Sequence, residues 1–387
     1  MSQSISNEAA QREVAQQGAR PSKQRLLSLD VFRGLTLALM VLVNNPGDHK
    51  YVYAPFSHMK WHGWTPTDLV FPFFIFVVGV AIPFAFASRV ARGESRGKLY
   101  LQILRRTVVL FVLGLFLNGF PGYDLSALRY MGILQRIALC YMAGSIIYLH
   151  WKPRTQAIIA ASLLVFYFVI LKFVPPPGLP APTLEEQGNW VQFFDLMFMR
   201  GHLQSATFEG KGLLSTLPAI ANCLFGLLTG EFLRTKHEPL EKVARMFTAG
   251  TAAMFLGAVW SLWFPINQNL WTSSLVMLMS GMALTILACC YYVIDIRQSI
   301  RWTKPFIIFG VNSITVWMGS TLLRDILDLI KLQQAGGRSI SVWTAAGHWF
   351  ASWAGAYNGS LLFALTYVLL WLGLMAVLYR RGIFLKI

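Results

Sequence analysis

The chain has 387 residues, of which 55% are hydrophobic and only 13% are charged. Soluble domains carry about 25% charged residues, so this composition excludes an ordinary soluble protein and indicates lipid as the main solvent. The formal net charge of +16 would suit a nucleic-acid partner. However, the basic residues lie in short clusters between apolar stretches, which is the distribution that the positive-inside rule describes. The sequence therefore predicts a membrane protein without a nucleic-acid partner.

The N-terminal segment 1–24 is polar and lacks the apolar core of a signal peptide, so we predict a disordered cytoplasmic tail. The chain also contains four cysteines inside apolar stretches, at Cys140, Cys223, Cys289 and Cys290. Their spacing does not match a metal site, and adjacent cysteines rarely bridge each other. We interpret them as packing residues and predict no metal site.

A helix needs about 20 apolar residues to cross the hydrocarbon core of a membrane. Ten stretches meet or nearly meet this length: 26–45, 67–88, 103–120, 133–150, 156–174, 213–233, 246–264, 272–294, 304–323 and 360–379. A further segment, 341–356, is short and rich in Trp, which is typical of an interfacial or re-entrant helix and leaves an eleventh span as the alternative. Residues 25–387 thus predict one all-α domain, a polytopic membrane helix bundle of about 10 transmembrane helices.

The basic residues of the connections predict the orientation of this bundle. Two thirds of the 33 Lys and Arg residues lie in the N-terminal tail, in the C-terminus and in alternate connections between the spans. Because Lys and Arg collect on the cytoplasmic side, both termini are expected there, whereas eleven spans would separate the two basic ends. The outer side then carries the loops 46–66, 121–132, 175–212 and 324–359, which are long enough to form a lid.

Ionisable residues inside membrane helices are costly and mark functional sites by default. In the first span, Asp30 and Arg33 are three positions apart and therefore share a helical face. They could form a buried ion pair that fixes helix packing, or Arg33 could meet a phosphate or other anion from the cytoplasm. Gln135 and Arg136 open the fourth span, where an arginine requires a carboxylate or a bound anion.

Three of the seven histidines, His49, His58 and His62, follow the end of the first span within fourteen residues. No cysteine or paired acid accompanies them, so their spacing does not match a zinc site. A neutral imidazole at the boundary between water and membrane can act as a general base. Asp68 stands at the start of the next span, where its carboxylate could cap the helix or orient a histidine.

Polar residues occur at two further places in apolar surroundings. Asn267, Asn269 and Trp271 lie in an uncharged outer turn, which could bind sugar hydroxyls or simply carry an interfacial anchor. Asn312 and Ser313 place hydrogen-bonding side chains inside the ninth span, where such residues often only join helices.

These features support two classes of function. One is a membrane-embedded enzyme with a histidine at its outer face and a basic inner face. The other is a permease for a small polar solute, such as an amino sugar, because polar residues inside the membrane also mark transport paths. Transporters usually contain internal repeats with broken helices in matching positions, and the sequence shows no matching pair. This favours the enzyme only weakly.

Four motifs follow one another in the first part of the chain: 28–34 (SLDVFRG), Val43-Asn44, 58–63 (HMKWHG) and 68–72 (DLVFP). Together they resemble the signature of the heparan-α-glucosaminide N-acetyltransferase family, whose bacterial members are associated with N-acetylglucosamine use. Shorter matches are 134–136 (LQR), 212–214 (GLL), Asn267 with 269–271 (NLW), and 305–313 (PFIIFGVNS). The likeness runs from about residue 25 to the C-terminal 383–387 (IFLKI), which is almost the whole chain.

The resemblance implies an enzyme that transfers an acetyl group from cytosolic acetyl-CoA to an amino sugar on the far side of the membrane. The active-site histidine of the family falls on His58 and its asparagine on Asn44, and Asp68 is our third catalytic candidate. The phosphates of acetyl-CoA are expected near the cytoplasmic basic cluster. The candidates for contacts with this co-substrate are Arg33, Arg105, Arg106, Gln135 and Arg136, and those for the acceptor sugar are Asn267, Asn269, Trp271, Asn312 and Ser313.

The resemblance leaves the acceptor open, because a glucosamine-type amine and an N-acetylglucosamine hydroxyl need the same donor and the same base. It also leaves open direct transfer and a route through an acetyl-histidine. Ser320 stands where the animal enzyme has a histidine, and the large lumenal domain of that enzyme has no counterpart here. The expected location is the inner membrane of a bacterium, in contact with lipid, and a homodimer is an alternative to the monomer.

Overall fold

The computed structural model describes residues 26–333 and 339–384 of the chain. The tail 1–24, which we predict to be disordered, lies outside these described residues. The helices are α1 (Leu27–Asn44), α2 (Val70–Ala91), α3 (Arg96–Gly119), α4 (Ile133–His150), α5 (Pro153–Phe173), α6 (Trp190–Met199), α7 (Thr216–Leu233), α8 (Pro239–Trp260), α9 (Ser273–Cys290), α10 (Lys304–Val311), α11 (Ser313–Leu329), α12 (Val342–Ala354) and α13 (Ala356–Arg380). Strands β1 (Lys331–Gln333) and β2 (Ser339–Ser341) pair antiparallel. The predicted all-α bundle is confirmed.

Nine helices of the described part are long and apolar enough to cross a membrane, and they become ten if the bent pair α10–α11 counts as one span. The chain is therefore a multi-pass membrane protein. We call the end of the bundle where α1 begins the basic end, and the opposite end the loop end. With 13 residues, α12 is too short to cross the hydrocarbon core, so the segment 341–356 does not supply an eleventh span.

The ninth predicted span, 304–323, is not the continuous helix that the sequence predicts. It is broken at Asn312, and α10 and α11 are bent by 80° relative to each other. The Ser313 hydroxyl donates to the Gly310 carbonyl (2.7 Å), which satisfies one backbone acceptor at the break. Gly310 also lies directly against α1, because a Cβ there would be 2.2 Å from the Asp30 carbonyl oxygen. This close contact between helices could not be read from the hydropathy of the segment.

Small residues allow α2 and α7 to cross in close contact at the centre of the bundle. A Cβ on Gly79 would be 2.0 Å from the Cys223 carbonyl oxygen, and one on Gly226 would be 2.0 Å from that of Phe76. Close backbone approach of this kind favours helix association in lipid, because it increases van der Waals packing between the helices. Three of the four cysteines are buried in the packed bundle, as we predict, but Cys289 is exposed on its surface.

The loop end is covered by structured segments rather than by long open loops. The predicted loop 175–212 contains α6, and the predicted loop 324–359 contains the end of α11, the hairpin β1–β2 and α12. Trp343 of α12 donates from its indole nitrogen to the Pro46 carbonyl (3.3 Å), which ties this cover to the end of α1. The cover places several polar side chains in fixed positions above the membrane helices.

Candidate active site

His58 and Asp68 form a hydrogen-bonded pair at the loop end of α2. The imidazole Nδ1 of His58 lies 2.6 Å from Oδ1 of Asp68. Asp68 is buried, whereas 51% of the His58 side-chain surface is exposed. Because a carboxylate only accepts hydrogen bonds, Nδ1 carries the proton of a neutral imidazole and Nε2 keeps a free lone pair. The exposed edge of His58 is therefore oriented to accept a proton.

The local sequence explains why Asp68 is fixed so firmly. Its second oxygen, Oδ2, accepts the backbone N–H groups of Thr65 (2.9 Å) and Met59 (3.2 Å) in a capping box at the start of the helical segment. Pro66 at the first helical position favours the same helix start. The sequence offers helix capping and histidine orientation as alternatives for Asp68, and the structure shows that one carboxylate serves both.

The turn 266–271 is hydrogen-bonded to the loop that carries His58. Gly63, whose φ of +105° favours glycine, donates its backbone N–H to the Ile266 carbonyl (2.7 Å). Asn269 donates to the Lys60 carbonyl (3.4 Å), and Asn267 lies 3.3 Å from the Nδ1 atom of His62. This turn determines the position of the His58 loop relative to α9.

Asn267 and Trp271, which we predict to bind a sugar, lie inside the packed protein. Both side chains are fully buried. The Asn267 amide oxygen accepts the backbone N–H of Leu270 (2.8 Å), and the Trp271 ring packs between Phe71 and Arg136. Neither side chain offers surface to a solute, so their role is to shape the turn. Asn269 is partly exposed and remains a candidate.

Gln135 and Arg136, which we predict to contact acetyl-CoA, are buried at the loop end of α4. The Arg136 guanidinium donates to the Gly212 carbonyl (3.2 Å) and contacts the Ser215 hydroxyl. Neither residue lines the large cavity of the bundle. Their contact with acetyl-CoA stays a prediction, which this placement away from the cavity does not support. An arginine in a helical pattern does not reveal which face of the helix is covered by other segments.

A cavity of about 540 Å³ runs lengthwise through the bundle. Along α2 it extends from Phe71 to Ala85, which corresponds to about 21 Å at 1.5 Å per residue. Its walls are mainly apolar, with polar residues concentrated at the basic end: Asp30, Arg33, Arg106 and Ser313. The opposite end, at Phe71, lies one helical turn from Asp68. The cavity therefore extends from the basic cluster to within one helical turn of Asp68.

The basic end of this cavity holds two arginines. Arg33 lies 3.5 Å from Asp30 and donates to the Gly310 carbonyl (3.3 Å), so the predicted ion pair exists and also faces the cavity. The Arg106 guanidinium lies over the Tyr141 ring (4.6 Å), and its buried Nε–H has no hydrogen-bond acceptor among the described residues. A buried donor without an acceptor is costly, so Arg106 fits an anionic or polar ligand. Arg105 is exposed and does not line the cavity.

The residues at the helix break lie far from His58. Asn312 is buried and donates to the Ile383 carbonyl (3.4 Å), and Ser313 lines the basic end of the cavity. Gly310 contacts Asp30 and Arg33, so the break between α10 and α11 lies beside the first turns of α1. We predict both residues to bind the acceptor. The structure places them towards the basic end of the bundle, whereas His58 lies at the loop end.

Asn44 lies at the loop end of α1, where its backbone carbonyl accepts a hydrogen bond from a residue that the sequence analysis missed. Arg324 of α11 donates from one nitrogen to the Asn44 carbonyl and from another to Nε2 of His49, both at 2.9 Å. Val43 and Phe56 pack in one apolar cluster, which brings the end of α1 to the loop that carries His58. Arg324 lies almost 280 residues from its partners in sequence, so no local pattern could reveal this contact.

We expect Arg324→Ala to lower the free energy of unfolding by about 2 kcal/mol or more, because it removes two hydrogen bonds from a charged donor. His49 accepts one of them only when it is neutral. Burial, together with the Arg324 guanidinium and against the effect of Asp48, lowers the pKa of His49 from its usual 6.5. This contribution is complete above the usual pKa and is lost as the pH falls from there through the lowered pKa of the folded protein.

The measurement is the midpoint of thermal unfolding in detergent at about pH 8 and pH 5.5, on either side of the usual histidine pKa. His49→Gln, whose amide can accept the same bond at any pH, is the matched control. The native chain should lose more stability than this variant on acidification. Parallel losses for the two proteins would contradict the proposed dependence on His49.

A second cluster missed by the sequence analysis lies beside the His58 loop. Glu209 is fully buried and accepts two bonds from Arg129, at 2.8 and 2.6 Å. Asp195 accepts the backbone N–H of Leu213 (2.8 Å), and burial raises the pKa of Asp195 to about 7 against the effects of this bond and of Arg136. Within the described residues, His, Cys, Asp and Glu form no group of three that could hold a metal ion.

The fold and this geometry define a class of protein: a multi-pass helical membrane protein with a carboxylate-oriented histidine above a long internal cavity. Residues 25–176 match the model of a family described as a domain of unknown function, DUF5009. The heparan-α-glucosaminide N-acetyltransferase of Mus musculus is 29% identical, in an alignment that covers 79% of this chain and 55% of that protein. Its Homo sapiens counterpart is 28% identical, over 78% of this chain and 53% of that protein.

These matches bear out the resemblance predicted from the motifs, and the chain is similar to the heparan-α-glucosaminide N-acetyltransferases. It spans about half the length of the curated relatives that it matches.

Proposed function

We propose that this protein is a transmembrane acetyltransferase that moves an acetyl group from acetyl-CoA to an amino sugar. The observation that carries this proposal is the cavity, which extends from Arg33 and Arg106 at the basic end to Phe71, three residues from Asp68 of the His58–Asp68 pair. The names of the relatives support the reaction class. Residues 25–387 act as one domain in this proposal.

The polarity of the cavity supports the placement of the donor. The phosphates of acetyl-CoA would bind near Arg33 and Arg106, where Ser313 and the Asn312 break add hydrogen-bonding groups. The apolar walls suit the thinner pantetheine arm, which would bring the thioester towards Phe71. Since basic residues collect on the cytoplasmic side, the basic end faces the cytosol in this scheme, and the loop end faces the periplasm of a bacterial inner membrane.

The proposed reaction uses the free lone pair of His58. The acceptor amine attacks the thioester carbon, a carbon–nitrogen bond forms, and Nε2 takes the amine proton. The carbon–sulfur bond then breaks, and the thiolate of CoA takes the proton back from the imidazolium. Asp68 stabilises that imidazolium and keeps Nδ1 protonated. Asn44 would donate a hydrogen bond to the developing oxyanion, an interaction worth about 3 kcal/mol in a well-placed site.

The experiment is an assay of thiol release from acetyl-CoA by the purified protein, with glucosamine or N-acetylglucosamine as acceptor. We expect thiol release that depends on the acceptor. Ala81→Phe, which fills the middle of the cavity, should raise the KM for acetyl-CoA or abolish turnover. Ala161→Phe on an exposed surface of α5 is the matched control and should leave both parameters unchanged.

An amino-sugar permease is the competing function. One broken helix pair occurs in the described part of the chain, whereas transporters with inverted repeats contain such breaks in matching positions of both halves. Sugar uptake into proteoliposomes without any release of thiol would favour the permease and contradict the acetyltransferase.

A further inference from the structure

Lys211 lies in the segment that joins α6 to α7, beside the His58 loop. Its backbone N–H donates to Oε1 of Glu209 (2.9 Å). The preceding residue, Gly210, lies against the side chain of Asn269, which in turn bonds to the Lys60 carbonyl. Phe208 contacts the Trp61 ring, with centroids 5.3 Å apart. The segment 208–211 therefore packs against the loop that carries His58 and against the turn that holds this loop.

The ammonium group of Lys211 is partly buried and has no hydrogen bond or ion pair with any residue that the structure describes. The nearest carboxylate in sequence, Glu209, is already occupied by its two bonds with Arg129. Lysine ammonium groups are strongly hydrated, and burying a charge without a partner is costly. Such a group indicates that an anionic partner is missing.

Lys211 and the charged groups around it comprise three cations and two anions. Arg129 and Arg136 face it as cations, and Glu209 and Asp68 face it as anions. Burial, aided by the two arginines and opposed by the two carboxylates, lowers the pKa of Lys211 to about 8. Two of these charges are neutralised within the Arg129–Glu209 pair, and Asp68 is bonded to His58. An additional negative charge would be stabilised here.

We propose that Lys211 binds an acidic group of the acceptor, a carboxylate, sulfate or phosphate, while His58 acts on the amine of the same sugar. This inference rests on the proposed acetyltransferase function. The ligand belongs to the acceptor rather than to acetyl-CoA, because Lys211 lies at the loop end and the arginines of the donor cavity lie at the basic end. Lys211 is therefore a residue that determines acceptor specificity.

The test compares glucosamine with glucosamine 6-phosphate, glucosamine 6-sulfate and a disaccharide of glucosamine and a uronic acid, all in the thiol-release assay. The native protein should show a higher kcat/KM for at least one acidic acceptor. Lys211→Met should lower that value about tenfold to a hundredfold, the usual loss for one hydrogen bond between charged groups. Turnover of glucosamine should change less than about threefold, because no acidic group is lost there.

Two further variants separate specificity from structure. Lys211→Arg keeps a cation at all working pH values. In the native protein, the ratio of kcat/KM for the acidic acceptor to that for glucosamine should fall above about pH 8, where Lys211 loses its proton. In Lys211→Arg this ratio should stay constant over the same pH range. Lys60→Met, at an exposed position on the His58 loop, should leave the preference unchanged.

Three outcomes would overturn the inference: no preference for any acidic acceptor, an equal loss for all acceptors in Lys211→Met, or the same pH dependence in Lys211→Arg as in the native protein. If glucosamine is acetylated in these cases, only the role of Lys211 fails. If no acceptor supports thiol release, the proposed acetyltransferase function itself fails.

Discussion

His58→Ala is expected to lower the rate of acetyl transfer by about 10²- to 10⁴-fold, the usual contribution of a positioned general base. The exposed Nε2 of His58 is the proton acceptor in the proposed reaction, and alanine leaves nothing in its place. Binding of acetyl-CoA should change little, because His58 does not line the cavity. The measurements are kcat by thiol release and the Kd of CoA by calorimetry.

His62→Ala is the control for this prediction. His62 lies four residues further along the same loop and contacts Asn267 through Nδ1, so its loss disturbs the loop without removing the paired imidazole. Its kcat should stay within about tenfold of the native value, the effect expected of a lost supporting contact. Added imidazole should restore part of the activity of His58→Ala. Near-normal turnover in His58→Ala would show that the base lies elsewhere, with His62 as the first alternative.

Asp68→Asn is expected to give a comparable loss of kcat in a protein that remains folded. The asparagine oxygen can still accept the backbone N–H groups of Thr65 and Met59, which preserves the helix cap. Its NH₂ group then faces Nδ1 of His58, which must accept. The imidazole proton moves to Nε2, so the lone pair that would receive the acceptor proton is lost. A wrong tautomer of this kind costs about 10⁴-fold in a serine-protease triad.

Asp68→Ala distinguishes orientation from capping. It removes both functions, so it should lose the same activity and, in addition, about 1 kcal/mol of helix-cap stability. The measurements are kcat and the midpoint of thermal unfolding for both variants. The prediction fails if Asp68→Asn turns over at the native rate, because the carboxylate would then be needed for capping alone. The double variant with His58→Ala should be no slower than His58→Ala itself, since the two residues act as a unit.

Arg324 and Lys211, two of the residues missed by the sequence analysis, share one property. Arg324 and Lys211 are ordinary basic residues in segments that we interpret as outer loops, and nothing in their local sequence marks them. Arg324 gains its role from contacts with Asn44 and His49 across the fold. The role that we propose for Lys211 depends on the pairing of Glu209 with Arg129, eighty residues away in sequence. Contacts over such distances leave no periodic pattern.

The sequence by itself determined the class of the protein and located the apolar segments that form its membrane helices. The hydrocarbon core forces each span into a helix of about 20 apolar residues, so composition and run length are sufficient to find them. The motif around His58 and Asp68 was also visible, because the two residues lie ten positions apart in one continuous loop and helix start.

Only the tertiary structure decided which polar side chains face open space. Trp271, Asn267, Gln135 and Arg136 have the residue types of a binding site, yet neighbouring segments bury all four. The break at Asn312 and the course of the cavity likewise depend on the packing of α10 against α1 and on the gap left between α2, α4 and α11. Burial and close approach are properties of pairs of segments distant in the chain, and a single sequence does not specify which segments meet.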